Sequence, residues 1–321
     1  MRAIIPVAGN GTRLSPITKY KAKVLVEVAG RPVLAHILDN LSDSDVDEVV
    51  MVVGHKRQQI IEWTHNNYRD RFEFHFVHQK QTLGLGHAIY CARNYLDSEE
   101  TVILLGDVIF SSPYSGMLKD ARASGKSSGA LGIKFVDNPR YYGMVKIGEN
   151  ELVESMVEKP REFESRSAIA GIYYLREGES LLDSLEYIMG SRKTRGEYQL
   201  TDALQNMVSN GTAFSVFRVG DWYDCGRLET LISSNRQLLE KSHHIDKSSE
   251  IRNCEIVGPC IIGPESCVTD SRIGPYVSIG SNASVSNCTL EDIILESASH
   301  MENSTQSYGV VSKDTQLFRY I

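Results

Sequence analysis

The chain has 321 residues, 41% hydrophobic and 23% charged, with a formal net charge of −7, an ordinary composition for one large globular domain or two smaller ones. The acidic balance leaves no basic footprint for nucleic acid, and no apolar run approaches the roughly eighteen residues needed to span a bilayer. Met1-Arg2-Ala3 enters a strand directly, so no signal peptide is expected. The six cysteines (Cys91, Cys225, Cys254, Cys260, Cys267 and Cys288) form no CxxC pair, so free thiols in a reducing cytoplasm are expected.

The first strand is the apolar run Ala3–Ala8, bounded by turn signals. It runs into Gly9-Asn10-Gly11-Thr12-Arg13. Glycines two apart permit a tight turn whose backbone amides converge on an anion. Thr12 adds a hydroxyl donor, and Arg13 and Lys23 add cations suited to phosphate. The spacing matches neither the dinucleotide fingerprint nor the P-loop. By spacing alone it equally describes an ordinary strand-to-helix turn.

Strand-like and helix-like segments then alternate to about residue 240. Strands are expected at Val49–Val53, Glu73–Val77, Thr101–Leu105 and Gly129–Phe135, with helices at Pro32–Leu41, Lys56–Asn67, Leu85–Leu96 and Tyr114–Ser124. This pattern predicts a parallel sheet with helices on both faces, and ligands at the carboxyl ends of its strands. Gly9–Arg13 lies at such an end, and so does Gly106-Asp107. From Gly143 the pattern loosens into short strands (Met144–Ile147, Leu152–Glu158, Ala168–Leu175). Helices near Leu181–Met189 and Leu200–Asn210, a strand at Phe214–Val219 and a helix from Arg227 to about Glu240 follow. Lys241–Ser249, with His243-His244, is polar and reads as a linker.

Beyond it Ile256, Ile262 and Val268 recur six apart, and after one five-residue step Ile273, Ile279 and Val285 do the same. Small residues (Cys260, Ser266, Ser278 and Ser284) precede apolar positions, and Gly-Pro recurs at 258–259, 263–264 and 274–275. This is the period of a hexapeptide parallel β-helix, about three coils over residues 250 to 300. Asn303–Ile321 shows no period, and Phe318, Tyr320 and Ile321 are expected to cap the open end.

The string Ala8-Gly-Asn-Gly-Thr-Arg-Leu-Ser-Pro16, followed by Lys23-Val-Leu-Val-Glu-Val28, resembles the signature of the sugar-nucleotide pyrophosphorylases. These nucleotidyltransferases join a sugar 1-phosphate to a nucleoside triphosphate. Arrangement and length are similar to the long-form glucose-1-phosphate thymidylyltransferases and their uridylyl relatives. The resemblance implies a Rossmann-like, doubly wound, mostly parallel sheet over residues 1–243. A short left-handed β-helix with its cap would fill 244–321.

The resemblance also implies a site. Ala8, Gly9, Asn10, Gly11, Thr12 and Arg13 would hold the triphosphate, with Arg13 on the leaving pyrophosphate and Lys23 on the α-phosphate. Asp107 and Asp224, in Trp222-Tyr-Asp-Cys-Gly226, would hold Mg²⁺, which takes oxygen ligands. From the residues alone, each aspartate could instead cap a following helix. Gln79 and Gly84 match the base-reading segment, since a carboxamide can offer donor and acceptor to thymine or uracil. His87 reads as structural. Tyr142, Gly143, Glu158, Lys159, Ile169, Ala170 and Arg195 match the sugar-phosphate pocket. Ala22 stands where the family usually has Pro or Ser, and Val108 where it often has Asn or Asp.

The expected activity is transfer from dTTP, ranked a little above UTP, onto glucose 1-phosphate, in a homo-oligomer of two or four chains. Rival readings are a bifunctional or acyltransferase hexapeptide-repeat enzyme, with His300 as the solenoid's histidine, and a non-catalytic nucleotide or sugar-phosphate sensor.

Overall fold

The computed structural model describes residues 1–123, 127–148, 150–313 and, as backbone, 315–318. By contact the chain forms two compact units. One is Met1–Gly9 with Ile37–Trp222, and the other is Asn10–His36 with Tyr223–Ile321.

The first unit is built on a nine-stranded sheet. Its strands are β1 (Arg2–Val7), β2 (Glu48–Val53), β3 (Glu73–His78), β4 (Thr101–Leu104), β5 (Gly129–Phe135), β6 (Gly143–Ile147), β7 (Val153–Glu158), β8 (Ser167–Leu175) and β9 (Phe214–Arg218). The order runs β7-β6-β8-β4-β1-β2-β3, with β5 also on β8 and β9 on β5. The half β4-β1-β2-β3 is parallel. The strand β8 runs antiparallel to β4, β5 and β6, and β9 returns parallel to β5. Parallel strands covered on both faces read as unbroken apolar runs. Accordingly Ala3, Ile4 and Ile5 of β1 and Val49–Val53 of β2 are buried throughout. Helix α1 (Val33–Leu41) comes first in the chain, and five more flank these strands: α2 (Arg57–Tyr68), α3 (Leu85–Cys91), α4 (Tyr114–Ala123), α5 (Leu182–Met189) and α6 (Leu200–Ser209). The core joins Ile4, Val50, Ile89, Ile103, Leu131, Leu185, Leu204 and Phe214.

Two local departures bear on the site. A helix does not follow Asp107 directly, because Val108–Phe110 is a short strand and α4 starts at Tyr114. The helix cap considered for Asp107 is therefore not its role. In β8 the register slips between Ile169, opposite Ile133, and Tyr173, opposite Leu131. Three residues face one across this bulge, and Gly171 takes φ +90° there, a conformation that favours glycine.

In the second unit the solenoid repeats every 17 residues up to Ser284, and its last coil, Ser284 to His300, takes 16. Glu250 pairs with Cys267, and Cys267 with Ser284, in parallel. A coil of 17 is two six-residue steps and one of five, which is the spacing read from the aliphatics. Ile262, Val268, Ile273, Ile279 and Val285 are buried in one core. The solenoid is longer than the period suggested, at both ends. His244 and Ile245, expected in a linker, already pair with Ile261 and Ile262, and His243 Nδ1 lies 3.0 Å from the Cys260 amide nitrogen. The tail expected to be aperiodic continues the ladder, His300–Ser312 running in register on Ser284–Leu295. Its hidden period has a physical cause. Ser304, Thr305 and Gln306 occupy positions filled by Cys288, Thr289 and Leu290 one coil earlier, so the aliphatic signal fades while the backbone pairing persists. The expected cap residues Tyr320 and Ile321, and the side chain of Phe318, lie outside the described residues.

In the same unit, helix α7 (Leu228–Leu239) carries Asn235, fully buried. Its carboxamide oxygen accepts from the Ala29 amide and the Ser278 hydroxyl, both at 2.8 Å, and its nitrogen donates to the Tyr276 carbonyl. A buried polar side chain satisfied on both ends thus links the 10–36 segment, α7 and the solenoid. No helix among the described residues is long and apolar enough to cross a membrane.

Candidate active site

Within the first unit, three places at or near carboxyl strand ends carry chemistry. The first is the pairing of β6 with β7. Gly143 and Glu158 are cross-strand partners. A Cβ on Gly143 would lie 2.9 Å from Thr201 Oγ1 and 3.1 Å from Glu158 Oε2, so only glycine leaves this pocket its shape. Glu158 Oε2 accepts from Thr201 Oγ1 at 2.6 Å, and Glu158 Oε1 lies 3.0 Å from Lys159 Nζ. Lys159 turns through φ +46°. Its amide donates to the Tyr142 carbonyl, and its carbonyl accepts from Arg195. Ile169 Cδ1 reaches within 3.2 Å of the Gly143 Cβ position, and Tyr142 packs edge-on to Trp222 at 5.0 Å. Tyr142, Gly143, Glu158, Lys159, Ile169 and Arg195, drawn from distant parts of the sequence, are therefore one connected cluster. Ala170 lies fully buried in the adjoining bulge.

A carboxylate beside a glycine-sized gap, with a lysine and an arginine alongside, can accept from hydroxyls and neutralise a phosphate. Two members of this setting carried no role in the sequence reading. Thr201 is one, its hydroxyl donating to Glu158 and orienting it. Tyr173 lies so deep that burial, with the negative charges of Glu158 and Asp107 adding to it, pushes its phenol far above the usual range. It is a neutral wall near both carboxylates. Asp202, one residue after Thr201, is likewise pushed up, first by burial and then by Glu158, against a hydrogen bond from Thr194.

The second place follows β3. Gln79 is 5% exposed. Its amide nitrogen donates to the Gly84 carbonyl at 3.1 Å and lies 2.9 Å from His87 Nδ1. Gly84 has φ +111°, and a Cβ there would sit 2.5 Å from the Tyr198 carbonyl oxygen, so this turn requires glycine. Helix α3 starts directly after it. Gln79 was expected to offer a base both donor and acceptor. The donor side is spent on Gly84 and His87, which leaves Oε1. The third place is Asp107, just past β4, beside Leu105, whose amide donates to the Gly171 carbonyl of the bulge.

The other predicted residues belong to the second unit, apart from Ala8 and Gly9 at the end of β1. Gly9, Asn10, Thr12 and Arg13 are exposed, and Leu14, fully buried, anchors the turn. Gly11 has φ +66°, and its Cβ would meet Thr18 Cγ2 at 2.8 Å and Lys23 Cβ at 3.0 Å. Thr18 Oγ1 donates to the Gly11 carbonyl at 2.7 Å. The turn is thus braced from the Lys23 side. Asp224 Oδ1 accepts from the Gly226 amide at 2.7 Å, before α7.

Among the described residues no three His, Cys, Asp or Glu side chains gather as a metal cluster. Magnesium does not need one. It commonly takes one or two protein carboxylates and fills its sphere with substrate phosphate oxygens and water. The carboxylate oxygens of Asp107 and Asp224 are donors of that kind.

Residues 2–241 match the profile of the family described as nucleotidyl transferase. A glucose-1-phosphate thymidylyltransferase of Streptomyces antibioticus is 28% identical, over 92% of this chain and 87% of its own. A bifunctional protein GlmU of Methanococcus vannielii is 33% identical over 82% of this chain, which spans 61% of that longer relative. Among solved structures, a UDP-glucose pyrophosphorylase from Acinetobacter baumanii superposes with a TM-score of 0.62 at 23% identity. The match covers 75% of this chain and 93% of that one, a likeness of fold.

Proposed function

The chain belongs to the nucleotidyl transferase family, and from that premise we propose that it transfers a nucleoside monophosphate from a triphosphate to a sugar 1-phosphate, releasing pyrophosphate. dTTP ranks a little above UTP, and glucose 1-phosphate is the sugar. The observation that carries this reading is the cluster around Gly143. A glycine-sized gap lies against Glu158 and Thr201, with Lys159 ion-paired to Glu158 and Arg195 bonded to the Lys159 carbonyl. Glu158 accepts from sugar hydroxyls in this reading, while Lys159 and Arg195 hold the sugar phosphate. Tyr142, Ile169 and Ala170 complete the pocket.

In the reaction, a sugar-phosphate oxygen attacks the α-phosphorus. The new P–O bond forms as the bond to the bridging β-phosphate oxygen breaks, and pyrophosphate leaves with the electron pair. Such a step needs alignment and charge neutralisation rather than proton transfer. Arg13 meets the leaving pyrophosphate, Lys23 the α-phosphate, and the turn amides from Ala8 to Thr12 the remaining phosphate oxygens. Gln79 and Gly84 receive the base. Asp107 and Asp224 would hold Mg²⁺, which supplies charge neutralisation on the phosphates.

The solenoid's flat, stackable coils support assembly into a dimer or tetramer, and six cysteines outside any disulfide support a reducing, cytoplasmic setting. A second, acyl-transfer activity on the solenoid has less behind it. His300 is exposed and bonded to Ser284, and His243 and His244 sit at the start of the first coil. Pyrophosphate release across the nucleoside triphosphates and a panel of sugar 1-phosphates tests the reading. Release with dTTP and glucose 1-phosphate above all other pairs is expected. Nucleotide binding without turnover on any sugar phosphate would favour the sensor.

A further inference from the structure

We infer that His87 is a positioning residue for base choice: its unprotonated Nδ1 accepts one N–H of the Gln79 carboxamide and fixes that group with Oε1 as the atom presented to the nucleotide. The inference rests on the reading of Gln79 as base reader. The Gly84 carbonyl can only accept, so the carboxamide end 3.1 Å from it must be the NH₂. The same nitrogen lies 2.9 Å from His87 Nδ1. An NH₂ has two hydrogens, and both are then used. Nδ1 must be an acceptor, so the proton of the neutral ring sits on Nε2, 3.8 Å from Cys91 Sγ.

The two sides of the carboxamide are thereby made inequivalent. Uracil and thymine carry an N–H at N3, and cytosine carries a lone pair there. A fixed Oε1 accepts from the first and opposes the second. A site whose buried polar atom is left unpaired rejects the wrong partner strongly. Without an acceptor at His87, only the Gly84 carbonyl still opposes the carboxamide's turning over to offer its NH₂ to cytosine N3, so the preference is weakened rather than lost. Protonating His87 has the same effect, because Nδ1–H would face the Gln79 NH₂. The titratable groups around the ring among the described residues are Cys91 on its own helix and Lys193 from the segment after α5. Burial, aided by the Lys193 charge, holds the imidazolium below its usual range, so the neutral form prevails near neutrality.

The test compares wild type, His87→Leu and His87→Asn, whose Oδ1 can stand in for Nδ1. It measures kcat/KM for dTTP, UTP and CTP at fixed glucose 1-phosphate. The Leu variant is expected to narrow the dTTP-to-CTP preference by about tenfold through the nucleotide KM, with the sugar-phosphate KM unchanged. The Asn variant should restore the preference and abolish its decline in acid. A folded Leu variant with wild-type preference overturns the inference while leaving the functional reading standing. Nitrogen-15 shifts of His87 in the wild-type protein decide the matter without turnover, and also if the Leu variant fails to fold. An Nε2–H tautomer is expected, and an Nδ1–H tautomer overturns the inference whatever the enzyme catalyses.

Discussion

Lys21 Nζ lies 2.9 Å from Glu296 Oε1, a carboxylate 275 residues further along the chain. The same oxygen accepts from the Glu27 amide at 3.0 Å. Glu296 is fully buried, and its other oxygen has no hydrogen-bond partner among the described residues. This carboxylate is therefore one of the links, beside Glu27–Ser297, by which the solenoid holds the segment that carries Arg13 and Lys23. Removing one partner of a buried pair costs more than neutralising it in place. Glu296→Ala should cost about 3 kcal/mol, whereas Glu296→Gln, which keeps an acceptor for Lys21 and Glu27, should cost under about 1 kcal/mol. Urea unfolding of the two variants checks this, and equal losses would contradict it.

Glu27 packs beside that pair, accepting from the Ser297 amide at 2.9 Å. Burial raises its pKa above the ordinary 4.5, helped by Glu296 and opposed by Lys21. In the folded state Glu27 binds its proton more tightly than in the unfolded chain, so folding is favoured by protonation. The contribution is full below the ordinary value and is lost as pH rises through the raised one. Stability measured from pH 4 upward should fall across that window, and Glu27→Gln should flatten the fall. A rise over the same window in wild type, absent from the variant, would contradict the sign.

Gly143→Ala places a methyl 2.9 Å from Thr201 Oγ1 and 3.1 Å from Glu158 Oε2. The fold should survive, because both neighbours are side-chain atoms. The KM for sugar phosphate should rise about tenfold, the effect of roughly 1.4 kcal/mol, with the triphosphate KM unchanged. Steady-state kinetics in each substrate checks it, and an effect on the triphosphate alone would place the pocket elsewhere.

Gly11→Ala combines φ +66° with contacts at 2.8 Å to Thr18 and 3.0 Å to Lys23. Strain at such a position is worth about 1–3 kcal/mol. Activity should drop at least tenfold, chiefly in triphosphate KM. Calorimetric titration with dTTP reads the loss directly, and wild-type affinity would refute the role of this turn.

These expectations show what could be read from residues alone. The apolar runs Ala3–Ala8 and Val49–Val53 could only be buried parallel strands, and the six-six-five aliphatic spacing dictated a 17-residue coil. The hydroxyl that orients Glu158 could not be read, because Thr201 reaches it through tertiary structure that no local period encodes. His87 looked structural because nothing in sequence says which ring nitrogen faces a glutamine eight residues earlier in the chain. The grouping of Asn10–His36 with the solenoid likewise depends on Asn235 and Glu296, polar residues whose partners lie far off in the chain.

The most direct test of the account is pyrophosphate release by the purified wild-type chain with dTTP, glucose 1-phosphate and Mg²⁺, alongside Asp107→Asn and Arg13→Ala. One pyrophosphate per nucleotide sugar formed is expected, dependent on the sugar phosphate and abolished in both folded variants. Full turnover in either variant, or release that needs no sugar phosphate, would contradict it.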